Sequence, residues 1–184
     1  MLLALLLACA DAPGPSPTRR VDGVAAPKIE QRQLDGFCDE SGGPTDGRPF
    51  PIPPTTPELG ASTRWRWVNV WATWCGPCVA EMPMLDKWAK KLVTDGVDIE
   101  LVNLNVDSTA DAVTRFEAKH PGFPTGPRLR SPEDLTPWTT ILGNGSEMAL
   151  PVHIFVDPEG RMRCVRAGAI DGGDYALVKA IVGG

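Results

Sequence analysis

Two cysteines separated by two residues, Cys75 and Cys78, are the side chains of this sequence with the clearest chemical capacity. They follow an apolar run over residues 67–73 and precede a segment whose apolar residues have helical spacing. A cysteine in the first turn of a helix lies near unpaired backbone N–H groups, which favour its thiolate. The pattern therefore predicts thiol-disulfide exchange, in which Cys75 attacks another disulfide and Cys78, one turn further on, resolves the mixed disulfide.

Pro77, between the cysteines, and the lack of further metal ligands favour this interpretation. Pro77 suits the first turn of a helix, because its missing N–H would have no helical partner there. A C-x-x-C pair can also form half of a zinc site, but a structural zinc ion needs about four ligands. The sequence has no second C-x-x-C pair and no C-x-x-H, so we expect no metal and no cofactor.

Composition divides the chain of 184 residues into two unlike parts. Ten of the 19 prolines precede residue 60, and proline-rich segments are poor at forming strands and helices. We therefore predict a proline-rich linker and surface wrap over residues 10–63 and a folded domain over residues 64–184. The net charge of −5 gives no basic surface, which argues against binding of nucleic acid.

Residues 1–9 form an apolar segment that is too short to span a bilayer, which takes about twenty residues as a helix. The segment fits a hydrophobic signal region, and residues 6–9 (Leu-Leu-Ala-Cys) resemble a bacterial lipobox. This resemblance implies acylation of Cys9, with the proline-rich tract as the tether. An ordinary cleaved signal or a chance apolar start is the alternative. We expect a protein of the bacterial cell envelope that faces the periplasm and is anchored to a membrane by lipid.

From residue 64 onward, the apolar pattern alternates between the spacings of strands and helices, which is typical of an α/β domain with crossover connections. The predicted strands cover residues 65–73, 98–106, 152–156 and 161–167. The predicted helices cover residues 75–94, 110–119, 132–142 and 175–182. The turn over residues 157–160 contains Pro and Gly and predicts a hairpin of the last two strands.

This order of elements and the sequence Trp-Cys-Gly-Pro-Cys at residues 74–78 resemble the thioredoxin fold, with a Leu-Pro step at 150–151 entering the next-to-last strand. Residues 68–78 and the C-x-x-C-x-x-E-x-P arrangement that continues to Pro83 are similar to the TlpA/ResA-type thiol-disulfide oxidoreductases. Asn69 stands where cytosolic thioredoxins keep a buried aspartate. The resemblance implies an α/β fold with a central mixed β-sheet flanked by helices, here preceded by an irregular proline-rich extension.

The resemblance also implies roles for the catalytic residues. Cys75 would be exposed at the helix start and attack, whereas Cys78 would lie nearer the interior and resolve. Because deprotonation of a buried thiol is costly, a base within reach is useful. Glu81 lies three residues after Cys78, near the same helical face. Glu81 is therefore the expected base, and a solvated glutamate on the helix surface is the alternative.

A second set of residues is expected to bind the substrate. Pro151 resembles the family's cis-proline opposite the dithiol, a bond that turns the backbone of Leu150 outward so that a substrate chain can pair with it. Trp74 would help to form an apolar platform beside Cys75, and filling of the core is its alternative role. The expected substrate-binding residues are Trp74, Gly76, Pro77, Leu150 and Pro151.

The resemblance implies an exported reductase of disulfides in envelope proteins, with apocytochrome c among its clients. A Gly-Pro pair between the cysteines resembles thioredoxin, a reductant with a potential of about −270 mV. A membrane thiol-electron donor of the DsbD/CcdA type would supply the electrons. Disulfide-containing envelope proteins would receive them, and the protein would act as a monomer.

Two other functions fit the sequence less well. Copper chaperones of the Sco type share the fold and use two cysteines with a distant histidine, but their cysteines are separated by three residues. His153 is therefore expected to be an ordinary strand residue, and His120 to end a helix. A lipid-tethered binding module, in which the dithiol stabilises the fold without redox turnover, is disfavoured because a disulfide that closes so short a loop contributes little.

Cys38 and Cys164 remain once Cys9 is assigned to lipid and the C-x-x-C pair to catalysis. A disulfide between them is expected in an oxidising compartment, where it would fasten the N-terminal wrap to the domain. Cys38 lies in a segment with little apolar material. The alternative is therefore a mobile Cys38 and a buried free thiol at Cys164.

Overall fold

The computed structural model of the protein describes residues 29, 31–43, 45–142 and 149–183, so the apolar segment with Cys9 lies outside the described residues. The helices are α1 (Gln31–Phe37), α2 (Gly76–Thr94), α3 (Ala110–Lys119), α4 (Leu135–Leu142) and α5 (Tyr175–Val182). The strands are β1 (Glu40–Ser41), β2 (Thr55–Thr56), β3 (Trp65–Trp71), β4 (Ile99–Asn105), β5 (Arg128–Leu129), β6 (Val152–Val156) and β7 (Met162–Ala167). None of the helices in these ranges is both long and apolar enough to cross a bilayer.

The strands form one mixed sheet in the order β1-β7-β6-β3-β4-β5-β2. β3 lies in the middle, parallel to β4 and antiparallel to β6. Six of its seven residues are buried, and a strand covered on both faces reads as a nearly continuous apolar run. β3 therefore passes through the core, and the turn that begins after Trp71 leads to the cysteines.

α2 begins at the cysteine pair and packs against the sheet. Cys75 is its N-cap and Pro77 lies in its first turn. The helix ends near Asp95, and Gly96 follows with a φ of 92°, a conformation that favours glycine. Its buried residues are Cys78, Glu81, Met82, Leu85, Ala89 and Leu92. Burial of a Leu or Met side chain contributes about 1.5–3 kcal/mol, so this face fixes the position of the helix start.

Apolar side chains form two cores that meet at β3. Val68 packs in the cluster that contains Cys75 and Cys78. Trp67, its neighbour in the strand, packs in a second cluster with Phe155. Successive strand residues point to opposite faces of a sheet, which explains the division. The cysteine pair is therefore set in a packed core rather than on a loose surface loop.

The structure confirms the predicted mixed sheet flanked by helices, and each strand and helix predicted from residue 65 onward is present. The observed ends of these elements differ from the predicted ends by a few residues. The first predicted strand stops at Trp71 rather than at residue 73, and the segment over residues 132–142 begins with a 3₁₀ turn, Pro132–Asp134, before α4. β5 was not predicted, because two residues are too few to establish a period.

Part of residues 10–63, the segment predicted to be a linker and surface wrap, forms helix and strand in the described part of the chain. α1 and two strands lie there, β1 pairs with β7, β2 pairs with β5, and Pro49 bridges Arg161. β1 and β2 have two residues each and lie at the two edges of the sheet. An edge strand needs partners on one side only, which suits a chain that is poor in N–H donors.

A disulfide joins Cys38, directly after α1, to Cys164 in β7. Ser41 pairs with Cys164 in the adjoining β1–β7 ladder. Phe37 and Cys38 are both buried, so the segment around Cys38 is held by apolar contact as well as by the bond. The alternative of a mobile Cys38 and a free thiol at Cys164 does not describe this structure.

Candidate active site

A tight turn between β3 and α2 presents the two cysteines. The Cys75 N–H donates to the Ala72 carbonyl over 3.0 Å, and the sulfurs of Cys75 and Cys78 are joined as a disulfide. The Cys78 N–H donates to Cys75 Sγ over 3.3 Å. An N–H group directed at a sulfur in the first turn of a helix stabilises a thiolate there. The backbone therefore favours Cys75 as the attacking sulfur once the pair is reduced.

The two cysteines differ in their access to solvent. Cys78 has no exposed surface and Cys75 is 5 % exposed, so the expectation of an openly exposed Cys75 is wrong for the disulfide form. Gly76 and Pro77 are exposed, and the Trp74 side chain is 71 % exposed. Core filling is thus excluded for Trp74. A partner would reach Cys75 across these three residues.

A buried carboxylate, Asp107, holds the turn in front of the cysteines. Its oxygens accept hydrogen bonds from the N–H and the hydroxyl of Thr73, each over 2.8 Å. The Asn105 amide donates to the same carboxylate over 2.7 Å. Sequence reasoning missed Asp107. The available signal was its place just beyond the carboxyl end of a parallel strand, where functional residues of α/β sheets gather.

Glu81 is buried on the inner side of α2, with 6 % of its surface exposed. Its Oε2 accepts a hydrogen bond from the Ile170 N–H over 3.0 Å. Its Oε1 lies 3.3 Å from His153 Nε2, although the two atoms are not aligned as a hydrogen bond. The alternative of a solvated surface glutamate is therefore wrong. Glu81 is a fixed carboxylate one helical turn beyond Cys78.

His153 connects Glu81 to the core. It lies in β6, as expected, and is fully buried. The Trp67 indole N–H donates to His153 Nδ1 over 3.3 Å. Since an imidazole nitrogen that accepts a hydrogen bond carries no proton, the neutral ring has its proton on Nε2, the nitrogen that faces Glu81. Sequence reasoning placed His153 in the right strand but gave it no link to the site.

The peptide bond between Leu150 and Pro151 is cis, as the resemblance implied. The Pro151 carbonyl accepts a hydrogen bond from the Gly168 N–H over 2.8 Å. Leu150 packs against the apolar cluster that contains Cys75 and Cys78. The cis-proline thus enters β6 next to the same core in which the cysteine pair is set.

The described residues offer no metal centre. Among them, no three or more His, Cys, Asp and Glu side chains come together in a way that could hold an ion. The ring nitrogens of His153 face Trp67 and Glu81, and the His120 ring stacks on Phe116 with centroids 4.3 Å apart. Neither histidine is arranged with the cysteine pair as a copper chaperone of the Sco type would require.

Comparison with known proteins agrees with this geometry. Residues 61–171, more than half of the chain, match the family described as Redoxin. The thiol-disulfide oxidoreductase ResA of Bacillus cereus is 32 % identical over 95 residues, which cover 52 % of this chain and 50 % of that protein. ResA of Oceanobacillus iheyensis is 32 % identical over 149 residues, which cover 80 % of this chain and 66 % of that protein. The chain thus spans about half the length of the Bacillus relative.

Solved structures show the same fold. A secreted thiol-disulfide isomerase from Corynebacterium glutamicum superposes with a TM-score of 0.59 at 20 % sequence identity. The superposition covers 82 % of this chain and 95 % of that one. At this level of identity the likeness concerns the fold, and it supports the thioredoxin-like arrangement of the sheet and helices.

Proposed function

The chain belongs to the Redoxin family, and from this premise we propose that it is a thiol-disulfide oxidoreductase that reduces disulfides of other proteins. The observation that carries the proposal is the Cys75–Cys78 disulfide at the start of α2, where the Cys78 N–H is directed at Cys75 Sγ. This arrangement gives one activated sulfur and one resolving sulfur in the same helical turn.

The first step joins the protein to its client. In the reduced protein the Cys75 thiolate attacks one sulfur of a client disulfide. A Cys75–client disulfide forms, the client disulfide breaks, and the client's other sulfur leaves as a thiolate that takes a proton from water. The client chain would lie across Trp74, Gly76 and Pro77 and pair with the backbone of Leu150.

The second step releases the client. Cys78 loses its proton and attacks Cys75 Sγ, the mixed disulfide breaks, and the client leaves with its second thiol. Two electrons have then passed to the client, and the Cys75–Cys78 disulfide is restored. Because Cys78 is fully buried, its deprotonation needs an acceptor close by. We assign this role to Glu81. Asn69 stands where cytosolic thioredoxins keep a buried aspartate, but its side chain is an amide, which donates to Asn103 over 3.1 Å and is not a base.

The residues between the cysteines support electron flow from this protein to its clients. Gly76 and Pro77 are those of thioredoxin, a reductant of about −270 mV. We propose that a membrane thiol-electron donor of the DsbD/CcdA type reduces the pair, and that oxidised envelope proteins such as apocytochrome c are the clients. Equilibration of the pair with glutathione tests the direction. A potential of about −120 mV would make the protein an oxidant.

Capture of clients tests the exchange itself. In a Cys78→Ala variant, Cys75 can still attack but the mixed disulfide cannot be resolved, so clients should accumulate on the protein as covalent adducts. Cys75→Ala is the control and should hold none. If Cys78→Ala captures no disulfide-containing protein from the cell envelope, the attacking role of Cys75 is refuted.

We also propose export and a lipid anchor on Cys9. The support is the lipobox-like sequence of residues 6–9 and the similarity in fold to a protein described as secreted. Mass spectrometry of protein extracted from membranes should find a diacylglyceryl group on Cys9. A product cleaved elsewhere and recovered without lipid would contradict the anchor.

A further inference from the structure

A groove of about 510 Å³ lies beside the cysteine pair, between the start of α2 and one face of α3. Trp74, Gly76 and Val79 line it on the side of the cysteines. Arg115, Phe116 and Lys119 line it on the side of α3. We refer to it as the α2–α3 groove.

The aromatic lining of the groove contacts β3, the strand that precedes the cysteines. Phe116 packs edge-on against Trp71, the last residue of β3, with ring centroids 5.5 Å apart. The His120 ring stacks on Phe116 at 4.3 Å. These contacts join α3 to the end of the strand that leads to Cys75. The α2–α3 groove therefore adjoins the active site.

The α3 side of the groove is cationic. Arg115 and Lys119 lie one helical turn apart and are exposed. Neither forms an ion pair with any residue in the described part of the chain, and no carboxylate is among the groove's described lining residues. Glu117, on the same helix, instead accepts a hydrogen bond from the Thr125 hydroxyl over 2.7 Å. In a chain with a net charge of −5, this is a local reversal of charge beside the disulfide.

Helix stability explains only part of this charge. Lys119 lies in the last turn of α3 and His120 is its C-cap, positions where cations offset the partial negative charge of the helix end. Arg115 lies in the middle of the helix, where the macrodipole gives no such reason. Trp74, on the opposite side of the groove, is 71 % exposed. A second chain bound in the groove would cover Trp74 and Arg115, and would thus account for an exposed tryptophan opposite unpaired cations.

We propose that the α2–α3 groove binds an acidic, extended segment of the client next to its reactive cysteine. Client carboxylates would pair with Arg115 and Lys119, and an apolar client side chain would lie between Trp74 and Phe116. Residues four apart on a helix are separated by about 6 Å along its axis, and alternate residues of an extended chain by about 6.6 Å. Two acidic residues with one residue between them therefore match the cations. The inference rests on the proposed disulfide exchange and adds a class of client to it.

Three disulfide-containing peptides test the inference. They differ in one flanking triplet, which is acidic (Asp-x-Glu), neutral (Asn-x-Gln) or basic (Lys-x-Lys), and each has the same aromatic residue beside the reactive cysteine. We expect the full protein to reduce the acidic peptide with a kcat/KM about threefold to tenfold above that of the neutral one, through a lower KM, as exposed ion pairs allow. The basic peptide should be the slowest, and high salt should remove the differences.

Charge reversal of the groove should invert this order. An Arg115→Glu/Lys119→Glu variant should reduce the basic peptide with a higher kcat/KM than the acidic one. Lys90→Glu is the control, because it also replaces a cation by an anion, but on α2 about 20 Å beyond Gly76 along the helix axis. Lys90→Glu should keep the preference for the acidic peptide. Circular dichroism checks that each variant is folded.

The outcomes separate the two proposals. If the unmodified protein reduces all three peptides equally at low salt, the groove has no charge preference and the inference is overturned, while disulfide exchange stands. If it reduces none of them and no protein disulfide either, the proposed function fails and the inference fails with it. The comparison of peptides on the unmodified protein decides the matter even where a groove variant does not fold.

Discussion

Glu81 has contacts in the fold that bear on its proposed role as a base. Its carboxylate is buried, accepts the Ile170 N–H and faces the His153 ring. A carboxylate held by such contacts keeps one position relative to Cys78, one turn earlier on the same helix. A fixed acceptor beside a buried thiol is what the resolving step needs, and a glutamate on the helix surface would not provide it.

Glu81→Gln should slow the reduction of a protein disulfide by on the order of 10²-fold, because the amide keeps the size of the side chain but cannot accept the Cys78 proton. Stopped-flow measurement over about pH 6–9 gives the rates, and circular dichroism reports the fold. Glu58→Gln, at an exposed position, is the matched control and should be unchanged. Turnover equal to that of the unmodified protein at every pH would remove Glu81 from the mechanism.

The two histidines allow a matched test of burial. His153→Leu should lower the free energy of unfolding by about 1–3 kcal/mol, because the Trp67 indole N–H loses its acceptor in the core. His120→Leu, at an exposed position, should change it by less than about 0.5 kcal/mol. Urea denaturation of both variants measures the difference. Equal stabilities would show that the Trp67–His153 contact does not contribute.

At the scale of elements, α2 is joined at its far end to α5. Asp95, the C-cap of α2, accepts hydrogen bonds from Lys179 of α5 over 2.6 Å and from Lys91 over 3.1 Å. These two ammonium groups lower the pKa of Asp95 from 3.8 to about 2. The same contact raises the pKa of Lys91. The ion pair between Asp95 and Lys179 therefore joins α2 to α5 at every pH at which Asp95 is ionised.

The depressed pKa of Asp95 predicts a pH dependence of stability. A carboxyl group with a lowered pKa in the folded state stabilises the fold above its ordinary pKa, and this contribution is lost as the pH falls through the folded value. Asp95→Asn should therefore lower the melting temperature at pH 7, and the difference should disappear between about pH 4 and pH 2. Thermal scans across that range measure it. Asp111→Asn, on the exposed start of α3, is the control, and a gap for Asp95→Asn that persists at pH 2 would contradict the link.

The elements that could be predicted from the sequence are those long enough to show a periodic spacing of apolar residues. β3 and α2 are long enough for their apolar spacing to define them, and the C-x-x-C pair marks the border between them. β1, β2 and β5 have two residues each, and their place in the sheet depends on the strands beside them. The contact of Glu81 with His153 was missed for the same reason, since it joins a helix to a strand about seventy residues later.

For the whole molecule, the Cys38–Cys164 disulfide ties the N-terminal extension to the last strand across a sequence separation of 126 residues. In the chain-entropy model a closed loop of about a hundred residues stabilises a fold by up to about 4.7 kcal/mol. All four cysteines of the two disulfides are buried, but Trp74 and Gly76, the neighbours of Cys75, line an open groove. The two disulfides therefore differ in the surface beside them although they share one domain.

A Cys38→Ser/Cys164→Ser variant should lose up to about 4.7 kcal/mol of stability while it keeps the ability to reduce a peptide disulfide. Peptide mapping under mild reduction should find Cys75 and Cys78 as free thiols before Cys38 and Cys164. Guanidinium denaturation measures the free energy of unfolding. Simultaneous release of all four thiols would contradict the expected order of reduction.

The nested arrangement of the two disulfides also constrains how the chain matures. Among the four cysteines in the described part of the chain, the first, Cys38, bonds to the last, Cys164, and the two middle ones bond to each other. Four cysteines can pair in three ways. Oxidation of these four thiols strictly in sequence order would join Cys38 to Cys75 and block the site. Biogenesis must therefore either keep Cys38 reduced until β7 has been synthesised or correct the pairing afterwards by disulfide shuffling.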